Sequence, residues 1–163
     1  METKSKIVKL AKGCHIAAKV LYILAFVVCL AFIALAIALP VADVIDKYSK
    51  AEVAIIFSTL AVYSFICIGL LWNVEGIFKS IVKEGKPFCK SVSHYLKKSA
   101  IFVLILAVVP ALLGTTVLRI AYPETELVFP VSVSGIVVGA ILLILGIIFK
   151  YGNELQNMDD ETL

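Results

Sequence analysis

Charged residues in this chain leave four gaps of bilayer length, and those gaps constrain the fold more than anything else in the sequence. Between Lys19 and Asp43 lie 23 uncharged residues, and between Glu52 and Glu75 lie 22. Between Lys98 and Arg119 lie 20, and between Glu126 and Lys150 another 23. A helix rising about 1.5 Å per residue needs about 20 residues to cross about 30 Å of hydrocarbon. In lipid each segment must be a helix, because any open strand would leave backbone groups unpaired. The expectation is an all-α integral membrane protein, a bundle of four transmembrane helices forming one membrane domain over residues 1–163. Its spans fall at about 20–42, 53–74, 99–118 and 127–149. With 61% hydrophobic residues, a soluble domain of this size could not bury its apolar surface. Disorder is excluded by the same figure. The first apolar stretch is too long for a signal-peptide core of about 7–15 residues, so it reads as a retained helix.

Sidedness follows from the basic residues. The N-terminal stretch holds Lys4, Lys6, Lys9, Lys12 and Lys19, and the second loop holds Lys79, Lys83, Lys86, Lys90, Lys97 and Lys98. With four spans these two regions and the tail share one side, which takes twelve of the fifteen Lys+Arg. The positive-inside rule puts that side in the cytoplasm. The expected location is a cell membrane, multi-pass, with both termini cytoplasmic. The outer loops, around Asp43, Asp46 and Glu52 and from Arg119 to Glu126, are too short for a receptor domain. Surface for a macromolecular partner therefore faces inward. The net charge of +3 is too mild to indicate direct nucleic-acid binding.

The second loop is patterned. Ile77, Phe78, Ile81 and Val82 alternate with Lys79, Ser80, Lys83 and Glu84 at helical spacing, and Gly85 and Pro87 then stop the helix. A second stripe, Phe88, Cys89, Val92, Tyr95 and Leu96, follows. Residues 76–98 thus read as an amphipathic helical hairpin in the cytoplasmic interface, its lysines toward anionic headgroups. Membrane lipids are the partners this implies.

Catalytic chemistry has no foothold. No span carries an ionisable residue away from its ends, which argues against a proton-driven exporter. Glu75, beside Trp72 and Asn73, reads most simply as a solvated helix terminus. Cys14, Cys29, Cys67 and Cys89 form no CxxC pair, and with His15 and His94 they match no standard zinc spacing. No phosphate-binding, dinucleotide or hydrolase motif is present, so the expectation is a non-enzyme without cofactor or metal. Polar residues in the spans are Ser58, Thr59, Tyr63, Ser64, Thr115, Thr116, Ser132 and Ser134, and Ser and Thr at such positions mostly bond within or between helices. Pro110 should kink the third span. Gly135, Gly139 and Gly146 lie on one face of the fourth and suit close helix packing, with a homodimer seam as the alternative.

Two stretches resemble a known family. Glu84-Gly85-Lys86-Pro87-Phe88 resembles the "G-x-P-F" turn of the bacterial family catalogued as domain of unknown function 2975. The tail Ile148-Phe149-Lys150-Tyr151-Gly152-Asn153-Glu154-Leu155-Gln156, closing on Asp160-Glu161-Thr162-Leu163, resembles that family's "F-x-x-G-x-x-L-Q … D-x-T-L/I/V" ending. Gly85, Pro87, Phe88, Gly152, Leu155, Gln156, Asp160 and Thr162 carry the resemblance. Cys89 departs from it, standing where a helix-capping Thr or Ser is expected. The resemblance implies a four-span fold, no established activity, and a gene often beside a small helix-turn-helix regulator. It therefore implies an accessory or regulatory membrane protein engaging a cytoplasmic partner. The acidic end, Glu154, Asp159, Asp160 and Glu161, suits a basic partner. The alternative is a small transporter or tolerance protein for an amphiphilic compound.

Overall fold

The computed structural model describes residues 2–42, 50–124 and 128–161, with side chains over 6–39, 50–124 and 128–158. Four helices follow in chain order: α1 (Glu2–Ala42), α2 (Lys50–Glu84), α3 (Lys90–Ala121) and α4 (Val133–Glu161). No strand occurs among the described residues. Each helix is long and apolar enough to cross a membrane. Apolar residues occupy every side of α1, where Val20, Leu24, Phe26, Val27 and Ile37 are all exposed. That is the pattern of a helix solvated by hydrocarbon rather than one with a single core stripe.

Successive helices run antiparallel. Tyr22 meets Trp72 edge-to-face at 5.6 Å and Phe32 lies 6.3 Å from Phe57, which aligns α1 with α2. Gly69 lies under the Phe102 ring and Gly76 under Tyr95, aligning α2 with α3. Gly135 abuts Ala107 and Gly139 abuts Leu104, aligning α4 with α3. The N-terminus of α1, the α2–α3 turn and the C-terminus of α4 therefore share one end, called the turn end below.

Three features depart from expectation. Close contacts join α1 to α2, α2 to α3 and α3 to α4, and no other helix pair among the described residues. The helices form an open row rather than a closed bundle. Lipid tails are as apolar as leucine, so nothing in the pattern drives α1 to close on α4. Second, no separate hairpin breaks off at residue 76. The stretch 76–84 continues α2 and 90–98 begins α3, because only Gly76 interrupts the helix formers and Gly costs a helix no more than about 1 kcal/mol. Third, the fourth helix starts at Val133, not at Leu127, which itself lies outside the described residues; 128–132 are non-helical. Pro130 removes a backbone donor and disfavours helix at the residue before it. At its other end α4 runs through the expected tail to Glu161.

α3 lies inside the row and carries the fullest burial, including Val92, Ser93, Ser99, Ala100, Ala107 and Leu118. Mostly small residues are buried there, which lets α2 and α4 approach closely from its two sides.

Candidate functional site

The turn end is built by five residues between α2 and α3. Gly85 has φ 65°, in the left-handed region, and its amide donates to the Ile81 carbonyl at 2.9 Å. This closes α2 as a glycine C-cap, and Pro87 prevents continuation. Ser91 Oγ donates to Glu84 Oε1 at 3.0 Å, tying the first turn of α3 to the last of α2. Cys89 occupies the N-cap position of α3 in extended conformation and makes no side-chain cap bond. It is buried, at 2% exposure. Burial pushes its thiol pKa up; the amides of Val92 and Ser91 work the other way, and the nearby Glu84 carboxylate adds to the rise.

The residues of the two motif stretches, far apart in sequence, meet at this end. Phe88 packs against Phe149 with ring centroids 4.9 Å apart. Gly152 lies directly under the Phe88 ring, where an added Cβ would fall 2.8 Å from the ring carbon. The tail of α4 is thereby held against the turn. One face of α4 is used for this, including Gln156, whose Oε1 is shielded from solvent and makes no hydrogen bond. Leu155, by contrast, points away and is 61% exposed. With Tyr151 and Met158 it forms an exposed apolar stripe at i, i+4 and i+7, past the last basic residue of the chain. Sequence reasoning missed this stripe, although its spacing was there to be read. The Asp160 side chain and all of Thr162 lie outside the described residues, as do Asp43 and Asp46.

The three packing glycines all face α3. A Cβ on Gly135 would fall 2.9 Å from Cβ of Ala107, and one on Gly139 would fall 2.7 Å from the Leu104 side chain. At Gly146 the neighbour is the stem of Lys97, and the Gly146 carbonyl accepts the Ser93 hydroxyl at 2.7 Å. That face of α4 is occupied within the chain. Toward α1, Glu75 sits inside α2 rather than at a solvated terminus. Its Oε1 lies 3.8 Å from His15 Nδ1 of α1, with both side chains partly buried.

Farther from the turn end, non-helical backbone docks on α3 on either side of Pro110. Pro110 has no N–H to give the preceding turn, and the neighbouring Ala107 carbonyl accepts the Ser132 amide at 3.0 Å. Thr115 Oγ1 accepts the Phe129 amide at 3.0 Å and donates to the Phe129 carbonyl at 3.3 Å. Gly114 makes room for the Phe129 ring and for Thr59 of α2. The polar residues read as helix-bonded divide accordingly. Thr59 and Ser64 bond to carbonyls of their own helix, while Thr115 spans to the 128–132 segment.

Among the described residues no three His, Cys, Asp or Glu side chains group closely enough to hold a metal ion. Comparison with protein-family models, with curated proteins and with solved structures returned no match.

Proposed function

We propose that the chain is an accessory or regulatory membrane protein that engages a cytoplasmic protein through its turn end. The carrying observation is the α4 extension, pinned against the turn by Gly152 under Phe88 while Tyr151, Leu155 and Met158 face outward. An apolar stripe on a helix that continues past the membrane-crossing length suits a groove on a partner. Acidic residues at the end of the same helix suit a partner with a basic surface, such as a small helix-turn-helix regulator. The positive-inside distribution of Lys+Arg supports placing this end in the cytoplasm of a bacterial cell. The resemblance to domain of unknown function 2975 is part of the same reading.

The test is co-purification of a small helix-turn-helix regulator with the full chain, together with transcription from the promoter that regulator controls. Tyr151→Ser with Leu155→Ser should release the regulator and shift transcription, and so should removal of Gly152–Leu163. Unchanged capture and transcription in both variants would sink the proposal.

One observation favours a small transporter as the second reading. Gly114, which packs against Phe129 of the non-helical segment 128–132, also lines a groove of about 290 Å³ between α2 and α3, with Ser58, Thr59 and Pro110 among mostly apolar residues. Irregular backbone within a membrane protein commonly lines a pathway. Flux of an amphiphile that Gly114→Leu abolishes and tail deletion spares would decide for this reading.

A further inference from the structure

At the turn end α3 and α4 leave a groove of about 410 Å³ between them. Three lysines line it, Lys90 and Lys97 of α3 and Lys150 of α4, with His94 and Asn153 as further hydrogen-bonding groups. One acid, Glu154, also lines it and lies 3.6 Å from Lys150 on the next helical turn. That pairing offsets Lys150, so Lys90 and Lys97 set the sign of the recess. Gly146 allows Lys97 to be there: its missing side chain leaves the space in which the Lys97 stem crosses α4. Ser93 is already committed, donating to the Gly146 carbonyl. Outside the recess, about one turn farther along each helix away from the turn end, Ile101, which also borders the groove between α2 and α3, and Ile147 are exposed, at 51% and 47%.

A basic recess with an apolar flank beneath it matches a molecule with an anionic head and a hydrocarbon tail. A free anion has no use for the flank. The geometry points to a site for the headgroup phosphate of an anionic phospholipid, held by Lys90 and Lys97 with its chain along Ile101 and Ile147. Basic recesses between transmembrane helices on the cytoplasmic side take such headgroups. The inference rests on the reading that these helices span a membrane with the turn end in the cytoplasm. It adds a specific lipid on the face of α4 that the partner stripe does not use.

The full chain, purified in mild detergent at about 0.15 M salt to suppress diffuse attraction, is mixed with phosphatidylglycerol or phosphatidylcholine. Retained lipid is counted by native mass spectrometry. Phosphatidylglycerol should be retained in preference. Lys90→Gln and Lys97→Gln should each lower that retention about fivefold. Lys79→Gln with Lys83→Gln, which removes two charges from α2 rather than one, should leave it unaltered. Ile101→Ser with Ile147→Ser should weaken it although no charge is lost. Helix content by circular dichroism establishes that each variant is folded. Equal loss in the α2 variant would overturn the site in favour of diffuse attraction. Full displacement by inorganic phosphate, with the isoleucine variant unaffected, would overturn the lipid in favour of a free anion. Labelling of Cys14 from outside intact cells would instead refute the orientation while leaving the lipid preference in detergent intact.

Discussion

Gly85 and Cys89 show how much a single position contributes to the turn end. At φ 65° a side chain on residue 85 meets the following carbonyl, so Gly85→Ala should destabilise the protein by about 1–2 kcal/mol in thermal unfolding. Gly13 provides the contrast, since an added Cβ there meets nothing within 4 Å and Gly13→Ala should be neutral or stabilising. The Gly85 stop was legible from Gly and Pro spacing alone. The state of Cys89 was not. Its place on the loop's apolar stripe did not say how deeply it lies: it is buried under the turn with its pKa raised by desolvation. A raised pKa means less thiolate at neutral pH, and a thiolate fraction that goes on rising with pH beyond the ordinary thiol value. In single-cysteine variants, Cys89 should therefore react with a maleimide more slowly at pH 7 than the less buried Cys14, and should gain rate more steeply toward alkaline pH. Equal rates at neutral pH would contradict the packing of the turn.

Among the elements, the segment 128–132 and α4 were read least well from sequence. An uncharged stretch beginning at Leu127 looked like one uniform span, because composition does not distinguish helix from extended chain paired to a neighbour. Thr115 decides the difference by bonding both polar groups of Phe129. Thr115→Val removes both bonds at nearly constant volume and should cost about 1–3 kcal/mol, with faster hydrogen exchange at the Phe129 amide. Thr116→Val, at an exposed neighbouring position, should change little. Gly135, Gly139 and Gly146 were recognisable as a packing face from their spacing. That α3 is what they pack against came from the structure, through Ala107, Leu104 and Lys97. The helices on either side of Gly85 were legible as well, but not their fusion with the spans, since no strong breaker separates Trp72 from Lys83 or Lys90 from Ile101.

Over the whole molecule, the open row makes a prediction about proximity. In a chain stripped of native cysteines, Ala107→Cys with Gly135→Cys should crosslink readily under mild oxidation, because the two Cβ positions nearly touch. Ile23→Cys with Ile141→Cys, at matching depth on α1 and α4, should not crosslink within one chain. If the second pair formed as readily as the first, the helices would be a closed bundle after all. The row also leaves the side of α1 away from α2 and the outer face of α4 uncovered by other helices, with exposed Leu24, Phe26, Ile141 and Ile144. The buried polar side chains of α2 are met within their own helix rather than across a shared core: Ser64, midway along it, bonds the Leu60 carbonyl.

Four helices of membrane length were written in the spacing of Lys19, Asp43, Glu52, Glu75, Lys98, Arg119, Glu126 and Lys150. Hydrocarbon accepts neither charge nor unpaired backbone, so that spacing leaves one secondary structure available. Which residues share a surface was a different matter. Lipid solvates an apolar helix face as well as another helix does, so apolar pattern carries little information about neighbours. The meeting of Phe88 with Gly152, and of Lys90 and Lys97 with Lys150, depends on close approach at small residues, whose spacing can mark a packing face but not the helix it meets.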